Sequence, residues 1–312
     1  MEIIALYPGQ GSQERGMGRS LWEASAQVRD LYEKISDLVK INLRTLIDEG
    51  SEGELTRHAQ LIITLVNRSA HIRLKEMGFH FAAHSGFSLG ELSAYAAASI
   101  IDDITLFQII QKRVVLMEEA SRQAAAEHGE LAMAAIIGLD SERINEVLKT
   151  EKIAHLWAAN DNAPTQVVLS GTMRSLEAAR KALSSAGARR IVPLRVAGPF
   201  HTPFMSSATT PFSYYLDSLP FFEPKEKVIS SVDGSIVQTS LQARANLAGQ
   251  LARPVVWTKV MEILNTMNKP FGEVGHGSVL AGLTKHNKIN ASCHSLASEE
   301  AIERFMRNYQ DE

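Results

Sequence analysis

Residues 84–93 read HSGFSLGELS, and much of the architecture of the chain can be worked out from this short segment. Ser88 stands in it with a glycine two residues away on either side. Residues 79–85 predict a strand before the serine, and the alanine-rich residues 90–101 predict a helix after it. This pattern fits the nucleophile elbow G-x-S-x-G, a strained turn in which bulkier flanking residues would clash. The alternative is an ordinary strand–helix turn with a capping serine.

An elbow would place the hydroxyl of Ser88 at the carboxyl edge of a sheet, near the positive end of the next helix. The backbone N–H of Leu89 would then point to where an oxyanion forms. A serine nucleophile also requires a base. Among the ten histidines, His201 is the strongest candidate, because it follows a predicted strand and a Gly-Pro break. His276, in a glycine-flanked turn, is the second candidate, and Asp161 is the nearest upstream acid, at a spacing that matches a triad poorly.

Short apolar segments alternate with amphipathic segments along the chain, which is typical of an α/β protein with a mainly parallel sheet. Apolar residues between positions 21 and 38 recur at spacings of three and four, so they share one helix face. Another helix is predicted over residues 104–117, with Asp103 as its N-cap. Further strands of the same sheet are predicted at residues 3–6, 228–232, 271–274 and 291–296.

The middle of the chain has a different order of predicted elements. It follows the pattern βαββαβ, which is the ferredoxin-like arrangement. We therefore expect a ferredoxin-like subdomain over residues 129–196, inserted into a larger α/β domain made of residues 1–128 and 197–312. The six predicted elements are strands 131–139, 153–159, 165–170 and 190–196 and helices 141–150 and 175–186.

The composition narrows the classes of function. The chain has 312 residues, 45% hydrophobic and 21% charged, which is close to an average globular protein. Its net charge of −3 argues against general nucleic-acid binding, and no segment approaches the ~20 apolar residues of a membrane span. The first residues lack a positively charged leader, so we expect a cytoplasmic protein. The single cysteine, Cys293, rules out an intramolecular disulfide, and we expect no metal site.

Several segments together resemble the malonyl-CoA:acyl carrier protein transacylases, members of the acyltransferase family that also serves polyketide synthases. The resemblance extends from about residue 3 to about residue 306. It implies an α/β-hydrolase-like domain with an inserted ferredoxin-like subdomain, in agreement with the division proposed above. The segments are YPGQGSQ (7–13), GFSLGE (86–91), KRVVLM (112–117), LAMAAIIGL (131–139), NAPTQVVLSG (162–171), GPFHTPFM (198–205) and EVGHGSVLAGLTK (273–285).

The resemblance implies a ping-pong reaction. Ser88 would attack the thioester of malonyl-CoA and pass the acyl group to the phosphopantetheine thiol of an acyl carrier protein. His201 would act as general base and then as general acid. In this family backbone carbonyls orient the histidine, with a glutamine beside it that corresponds to Gln250, so no acid is needed. No permanently bound cofactor is implied, and we expect a monomer.

Other site residues follow from the same resemblance. The oxyanion hole would combine the N–H of Leu89 with that of Gln10, whose loop contains two glycines for close backbone approach. Arg113 corresponds to the arginine that pairs with the free carboxylate of a malonyl group. Gln60 and Asn162 correspond to positions near the acyl group and the carrier arm.

Two residues of the predicted acyl pocket bear on donor choice. Phe87 replaces the histidine that the family usually has before the serine, which puts the fine donor selectivity in doubt. Phe200 favours malonyl over methylmalonyl donors in the polyketide relatives, because a bulky ring leaves little room for an α-methyl group. His276 replaces a proline of the family pattern without an obvious chemical consequence.

Two other functions remain open. One is a hydrolase that clears acyl groups from carrier proteins; such relatives share the Ser-His pair but tend to lack the arginine, so Arg113 favours transfer. The other is an inactive carrier-binding module, against which the presence of Ser88, His201 and Gln10 together argues. Carrier proteins are typically acidic, and three basic residues of the subdomain are candidates for docking them, although a solvated face is the alternative: Lys181, Arg189 and Arg190.

Overall fold

The structure is a computed structural model that describes residues 1–194 and 198–310. The strands in these residues form two separate sheets. The strands are β1 (Glu2–Tyr7), β2 (His80–Gly86), β3 (Leu131–Ile137), β4 (Leu156–Ala163), β5 (Gln166–Thr172), β6 (Arg190–Pro193), β7 (Val228–Ile229), β8 (Phe271–Glu273) and β9 (Cys293–Ser295).

The helices lie before, between and after these strands. A short 3-10 helix, Pro203–Met205, precedes the tenth α-helix. The α-helices are α1 (Arg19–Ala24), α2 (Ala26–Val39), α3 (Leu43–Glu49), α4 (Glu52–Arg57), α5 (Ala59–Glu76), α6 (Gly90–Ala97), α7 (Asp103–His128), α8 (Ser141–Thr150), α9 (Met173–Ser185), α10 (Ser206–Asp217), α11 (Ser240–Gln250), α12 (Trp257–Asn265), α13 (Val279–His286) and α14 (Glu299–Gln310).

The larger sheet is parallel and has the strand order β7-β2-β1-β8-β9. Its central strand β1 is buried on both faces: Ile3, Ala5 and Tyr7 pack into one apolar cluster, whereas Ile4 and Leu6 pack into another. This alternation is what a strand between two helix layers requires. Because all strands run in one direction, the segments that follow β1, β2, β7 and β8 meet at one edge of the sheet.

The smaller sheet is antiparallel, in the order β4-β5-β3-β6, and α8 and α9 pack on one of its faces. Its other face carries Met133, Ala159 and Val168, against which Phe200 packs. The amide of Asp161 donates to the carbonyl of Val255 over 2.8 Å, which ties β4 to the chain after α11. The predicted fold class, a parallel α/β domain with an inserted βαββαβ unit, is thus confirmed.

The proposed domain boundaries stay a prediction. The second boundary, between residues 196 and 197, lies outside the described residues. The same holds for the last two residues of the strand predicted over 190–196, whereas β6 itself occupies Arg190–Pro193.

Three local predictions were wrong, and tertiary contacts explain two of them. The helix expected from Leu21 is divided at Ser25, which is extended, accepts from the amide of Val28 and donates to a carboxylate oxygen of Glu76 over 2.8 Å. The strand expected over 228–232 stops at Ile229, because the next two serines turn their hydroxyls to a buried carboxylate described below. The helix expected over 90–101 ends at Ala97.

A fourth correction concerns the N-cap of α7. Asp102, not Asp103, accepts a hydrogen bond from the amide of Thr105, over 2.7 Å. Asp103 instead forms an ion pair of 2.6 Å with the largely buried Arg68. The sequence offers two adjacent aspartates, and the arginine on another helix decides which of them is left to cap.

Two features are absent from residues 1–194 and 198–310. No helix in them is long and apolar enough to cross a membrane. They also contain no cluster of three or more histidine, cysteine, aspartate or glutamate side chains placed to hold a metal ion.

The turn between β2 and α6 lies directly against the end of β1. The amide of Phe87 donates to the carbonyl of Tyr7 over 2.9 Å. A Cβ added to Gly90 would lie 2.0 Å from that same carbonyl oxygen, and one added to Gly86 would lie 2.0 Å from the backbone of Gly90. The two glycines that flank Ser88 are therefore steric requirements of the turn.

This contact makes Gly90→Ala a test of the fold. The added methyl group meets backbone atoms that cannot move without separating the elbow from β1, so we expect a loss of about 3 kcal/mol or more in the free energy of unfolding, measured by urea denaturation. The matched control is Gly53→Ala in α4, where a Cβ would have no neighbour within 4 Å. That change should stabilise by about 0.5–1 kcal/mol. Equal stability of the two variants would contradict the packing described here.

Candidate active site

The structure brings Ser88 and His201 together, although 113 residues separate them. The Oγ of Ser88 lies 2.7 Å from Nε2 of His201. Both residues have left-handed backbones, with φ of 51° for Ser88 and 61° for His201. Such conformations cost energy in residues other than glycine, and they concentrate at active sites. The predicted elbow and the predicted histidine therefore form one site.

The hydrogen bonds of His201 fix its tautomer. Its Nδ1 lies 2.9 Å from the carbonyl oxygen of Gln250 and 3.2 Å from that of Arg253. A carbonyl only accepts, so Nδ1 carries the proton and donates it to these oxygens. Nε2 is then the acceptor for the hydroxyl of Ser88. Two backbone carbonyls thus orient the imidazole in the way that the family resemblance implied.

The other candidates for base and acid lie elsewhere. Asp161 accepts a hydrogen bond from the hydroxyl of Thr258 over 3.2 Å, and burial raises the pKa of its carboxyl. His276 pairs with Glu14, at 2.9 Å between Nε2 and a carboxylate oxygen. Neither residue has a hydrogen bond to Ser88 or His201 among the residues that the structure describes.

Electrostatics keep His201 neutral. Burial and, to a smaller extent, the positive charge of Arg113 lower the pKa of the imidazole to about 4, although the hydrogen bonds to the two carbonyls oppose both effects. At neutral pH the ring is therefore unprotonated at Nε2 and can accept a proton from Ser88 without first losing one.

The two expected oxyanion donors belong to neighbouring segments. Leu89 is the N-cap residue of α6, where amide N–H groups lack acceptors within the helix. Gln10 lies in the exposed turn after β1, beside the elbow: a Cβ on Gly9 would lie 2.7 Å from the carbonyl oxygen of Phe87. This close approach requires glycine at position 9 and places the two donor segments side by side.

Arg113 is a buried cation, only 2% exposed. Its Nη1 donates to the amide oxygen of Gln60 over 2.6 Å and its Nη2 to that of Gln250 over 3.4 Å. Its Nε has no partner, and within the described residues none of its hydrogen bonds goes to a carboxylate. Burial lowers the pKa of the guanidinium to about 10. A buried guanidinium is costly unless an anion pairs with it, so this arrangement favours the binding of a carboxylate.

The remaining predicted residues divide into two groups. Gln60, as described, belongs to the site, and Phe200 packs on the apolar face of the small sheet. Phe87 lies edge-on against Trp257, with 5.3 Å between the ring centres. Asn162 is different: among the described residues no hydrogen bond joins its side chain to the site, and its main-chain carbonyl accepts from the side chain of Asn287 over 2.8 Å.

Sequence reasoning missed Glu91, a fully buried carboxylate on α6. Burial raises the pKa of this carboxyl, and the hydrogen bonds it accepts oppose the increase. It is the one charged residue in segment 90–101, which otherwise consists of apolar and small residues. A single charge in such a segment is the sequence feature that could have pointed to Glu91. Its donors are the hydroxyls of Tyr95, Ser230 and Ser231 and the side-chain amide of Gln250.

A strained serine between strand and helix, a neutral histidine and a buried arginine lie together in one site, an arrangement typical of acyl-transferring enzymes. The comparison with known families agrees with this class. The family described as "Acyl transferase domain" matches residues 5–308, and the chain belongs to this family. The prediction of the family from seven segments is confirmed.

Two curated relatives match all or nearly all of the chain. The malonyl CoA-acyl carrier protein transacylase of Bacillus subtilis is 32% identical, over 100% of this chain and 98% of the relative. The polyketide biosynthesis malonyl CoA-acyl carrier protein transacylase of the same organism is 30% identical over 93% of this chain and 98% of its own length.

A solved structure is similar over the same extent. It is a malonyl-transacylase in complex with a holo acyl carrier protein of a type II polyketide synthase. It superposes with a TM-score of 0.92 at 31% identity, and the match covers 99% of this chain and 100% of that one.

The pKa of His201 leads to a pH test. Only the neutral imidazole accepts a proton, so the rate of labelling of Ser88 by an alkyl fluorophosphonate should follow the neutral fraction of His201. The rate should be constant from about pH 8 to about pH 5 and should fall tenfold per pH unit below the pKa of about 4. Arg113→Met removes a charge that lowers this pKa, so the decline should move to higher pH. A wild-type decline near pH 6.5, or no shift in the variant, would contradict the assignment.

Proposed function

We propose that the protein transfers a malonyl group from malonyl-CoA to the phosphopantetheine thiol of an acyl carrier protein, in fatty-acid or polyketide synthesis. The observation that carries the proposal is Arg113, a buried guanidinium in the same site as the Ser88–His201 pair, for which residues 1–194 and 198–310 provide no carboxylate partner. Malonyl differs from acetyl by one carboxylate, which is the group that such a cation would pair with. Relatives over the whole chain length bear this activity in their names.

In the first half-reaction, Ser88 gives its proton to Nε2 of His201 while its oxygen attacks the thioester carbonyl. The negative charge that forms on the carbonyl oxygen is stabilised by the amide N–H groups of Leu89 and Gln10. When the tetrahedral intermediate collapses, the C–S bond breaks and the imidazolium protonates the departing thiolate of CoA. Ser88 then carries the malonyl group as an ester.

The second half-reaction reverses these roles. The thiol of the phosphopantetheine arm gives its proton to His201 and attacks the ester carbonyl. The intermediate again places its charge on the oxyanion donors, and its collapse breaks the bond to Ser88, whose oxygen takes the proton back. Neither half-reaction needs a group that the chain and its two substrates do not supply.

Arg113 would select the donor. Guanidinium suits a carboxylate better than ammonium does, because its planar fork meets both oxygens. The amide oxygen of Gln60 holds one arm of that fork at 2.6 Å. Phe87 and Phe200 would supply apolar walls, with Phe200 disfavouring an α-methyl group. The role of Asn162, the monomeric state and a cytoplasmic location stay predictions from the sequence.

Intact-mass analysis tests the proposal. Malonyl-CoA should add one malonyl group to the wild type and none to Ser88→Ala. The matched control is Ser85→Ala, which removes a buried hydroxyl from β2 that bonds the carbonyl of Ile229 over 2.8 Å, and it should still acquire the group. Addition of a holo carrier protein should move the malonyl group to the carrier faster than water removes it. If the ester is lost equally fast with and without the carrier, the hydrolase alternative is the correct one.

Arg113 gives the sharpest test of donor class. Arg113→Met fills a similar volume but leaves the malonyl carboxylate buried and unpaired, which should cost roughly 2–5 kcal/mol. We expect kcat/KM for malonyl-CoA to fall by about 10²-fold or more, while acetyl-CoA is used as well or better. Arg113→Lys should recover part of the malonyl activity. Arg68→Met, which removes a buried arginine paired with Asp103, should leave the ratio of the two donors unchanged. An equal loss for both donors in Arg113→Met would make Arg113 structural.

A further inference from the structure

Glu91 is the most extensively hydrogen-bonded carboxylate near the site, and the mechanism above does not use it. It has no exposed surface and lies three residues after Ser88, in the first turn of α6. One carboxylate oxygen accepts from Tyr95 at 3.0 Å and from Ser230 at 2.6 Å. The other accepts from Ser231 at 2.6 Å and from Nε2 of Gln250 at 2.8 Å.

Gln250 is the partner that connects this carboxylate with the chemistry. Its Nε2 also donates to the carbonyl of Ser88 over 3.1 Å, and its Oε1 accepts from Arg113 over 3.4 Å. Its main-chain carbonyl is one of the two acceptors that orient His201. A single residue therefore contacts the nucleophile, the base and the arginine, and its amide is held by Glu91.

The position of Gln250 in the chain shows why it needs such a partner. It is the last residue of α11, where carbonyl groups have no donor within the helix and the backbone tends to fray. That freedom makes its carbonyl available to His201 but leaves the direction of the carbonyl poorly determined by the helix alone. A bond from its side chain to a rigid, buried acceptor on α6 removes the freedom.

We propose that Glu91 is a positioning residue for acyl transfer: its carboxylate holds Gln250, and through Gln250 it sets the orientation of His201 and Arg113. The inference rests on the proposed function of the Ser88–His201 pair. The competing explanation is that Glu91 only joins α6 to the segment after β7 through the two serines, in which case it supports the fold and does not affect the geometry of the site.

The chain offers a variant that separates hydrogen bonding from charge. In Glu91→Gln the amide oxygen can take the place that faces Ser231 and Gln250, while the amide NH₂ faces the hydroxyls of Tyr95 and Ser230. Hydroxyls accept as well as donate, so all four hydrogen bonds can be kept without the charge. Glu91→Leu has a similar size and keeps none of them.

The experiment measures single-turnover labelling of Ser88, in amplitude and in rate constant, for the wild type and both variants. Two reagents are used: malonyl-CoA, and an alkyl fluorophosphonate, from which the serine oxygen displaces fluoride while His201 takes the proton. The amplitude reports the folded fraction, whereas the rate constant reports the geometry of the folded site. We expect Glu91→Leu to lower both rate constants by roughly 10²-fold, as small displacements of catalytic groups do. Glu91→Gln should stay within about fivefold of the wild type.

Tyr95→Phe is the matched control. It removes a buried hydroxyl from the same carboxylate, on the oxygen that does not face Gln250. It should lower the free energy of unfolding and leave both rate constants within about threefold of the wild type. Acetyl-CoA, added as a third reagent, gives a further readout: Glu91→Leu should reduce the ratio of malonyl to acetyl labelling through Arg113, and Tyr95→Phe should not.

The outcomes separate this proposal from the proposed function. Unchanged rate constants with a smaller amplitude in Glu91→Leu, or equal slowing in Glu91→Leu and Tyr95→Phe, would overturn the positioning role. If the wild type reacts with the fluorophosphonate but not with malonyl-CoA, the donor assignment fails, and the fluorophosphonate rates still decide on Glu91. If Ser88 reacts with neither reagent, the serine assignment and the proposal fail together.

Discussion

The close contact between Gly90 and the carbonyl of Tyr7 is the constraint on which the rest of the site depends. A Cβ at position 90 would lie 2.0 Å from that oxygen, so only glycine lets α6 begin directly above the end of β1. As a result, the turn after β1 and the elbow after β2 lie side by side, and their amide groups can serve one oxyanion. The turn that this arrangement requires gives Ser88 a left-handed backbone, which is a strained conformation for a residue other than glycine.

The parallel sheet brings the remaining groups to the same place. Residues after β7 supply the two serines that bind Glu91, and the end of α11 and the turn after it supply the two carbonyls that face His201. Glu91 and Gln250 are 159 residues apart in the chain, yet their contact connects α6 with the base. A site at the carboxyl edge of a parallel sheet is formed in this way by short segments that are distant in the chain.

How much could be predicted from the sequence depended on the range of the interactions. The elbow, the βαββαβ order and the family were predictable, because local periodicity and short motifs carry them. His201 was the strongest candidate base from its place after a predicted strand and a Gly-Pro break, whereas Arg113 followed from the family. The division of the first long helix at Ser25 was not predictable, since it depends on Glu76 in another helix. Glu91 was missed because three of its four partners are remote in the chain, and a lone acid on an apolar helix does not by itself reveal what binds it.

The use of carbonyls to orient His201, where many hydrolases use an acid, suits the role proposed for Arg113. A carboxylate bound to Nδ1 would raise the pKa of the imidazole and would add a negative charge to a site where the charge of Arg113 already acts on that imidazole. That charge would compete with the carboxylate of a malonyl group for the arginine. Neutral carbonyls fix the tautomer without this competition, and the amide of Gln250 stands between the carboxyl of Glu91 and the guanidinium, since it contacts both. An arginine that binds a substrate carboxylate, as proposed for Arg113, and a triad acid at the histidine would thus be poorly compatible in one small buried site.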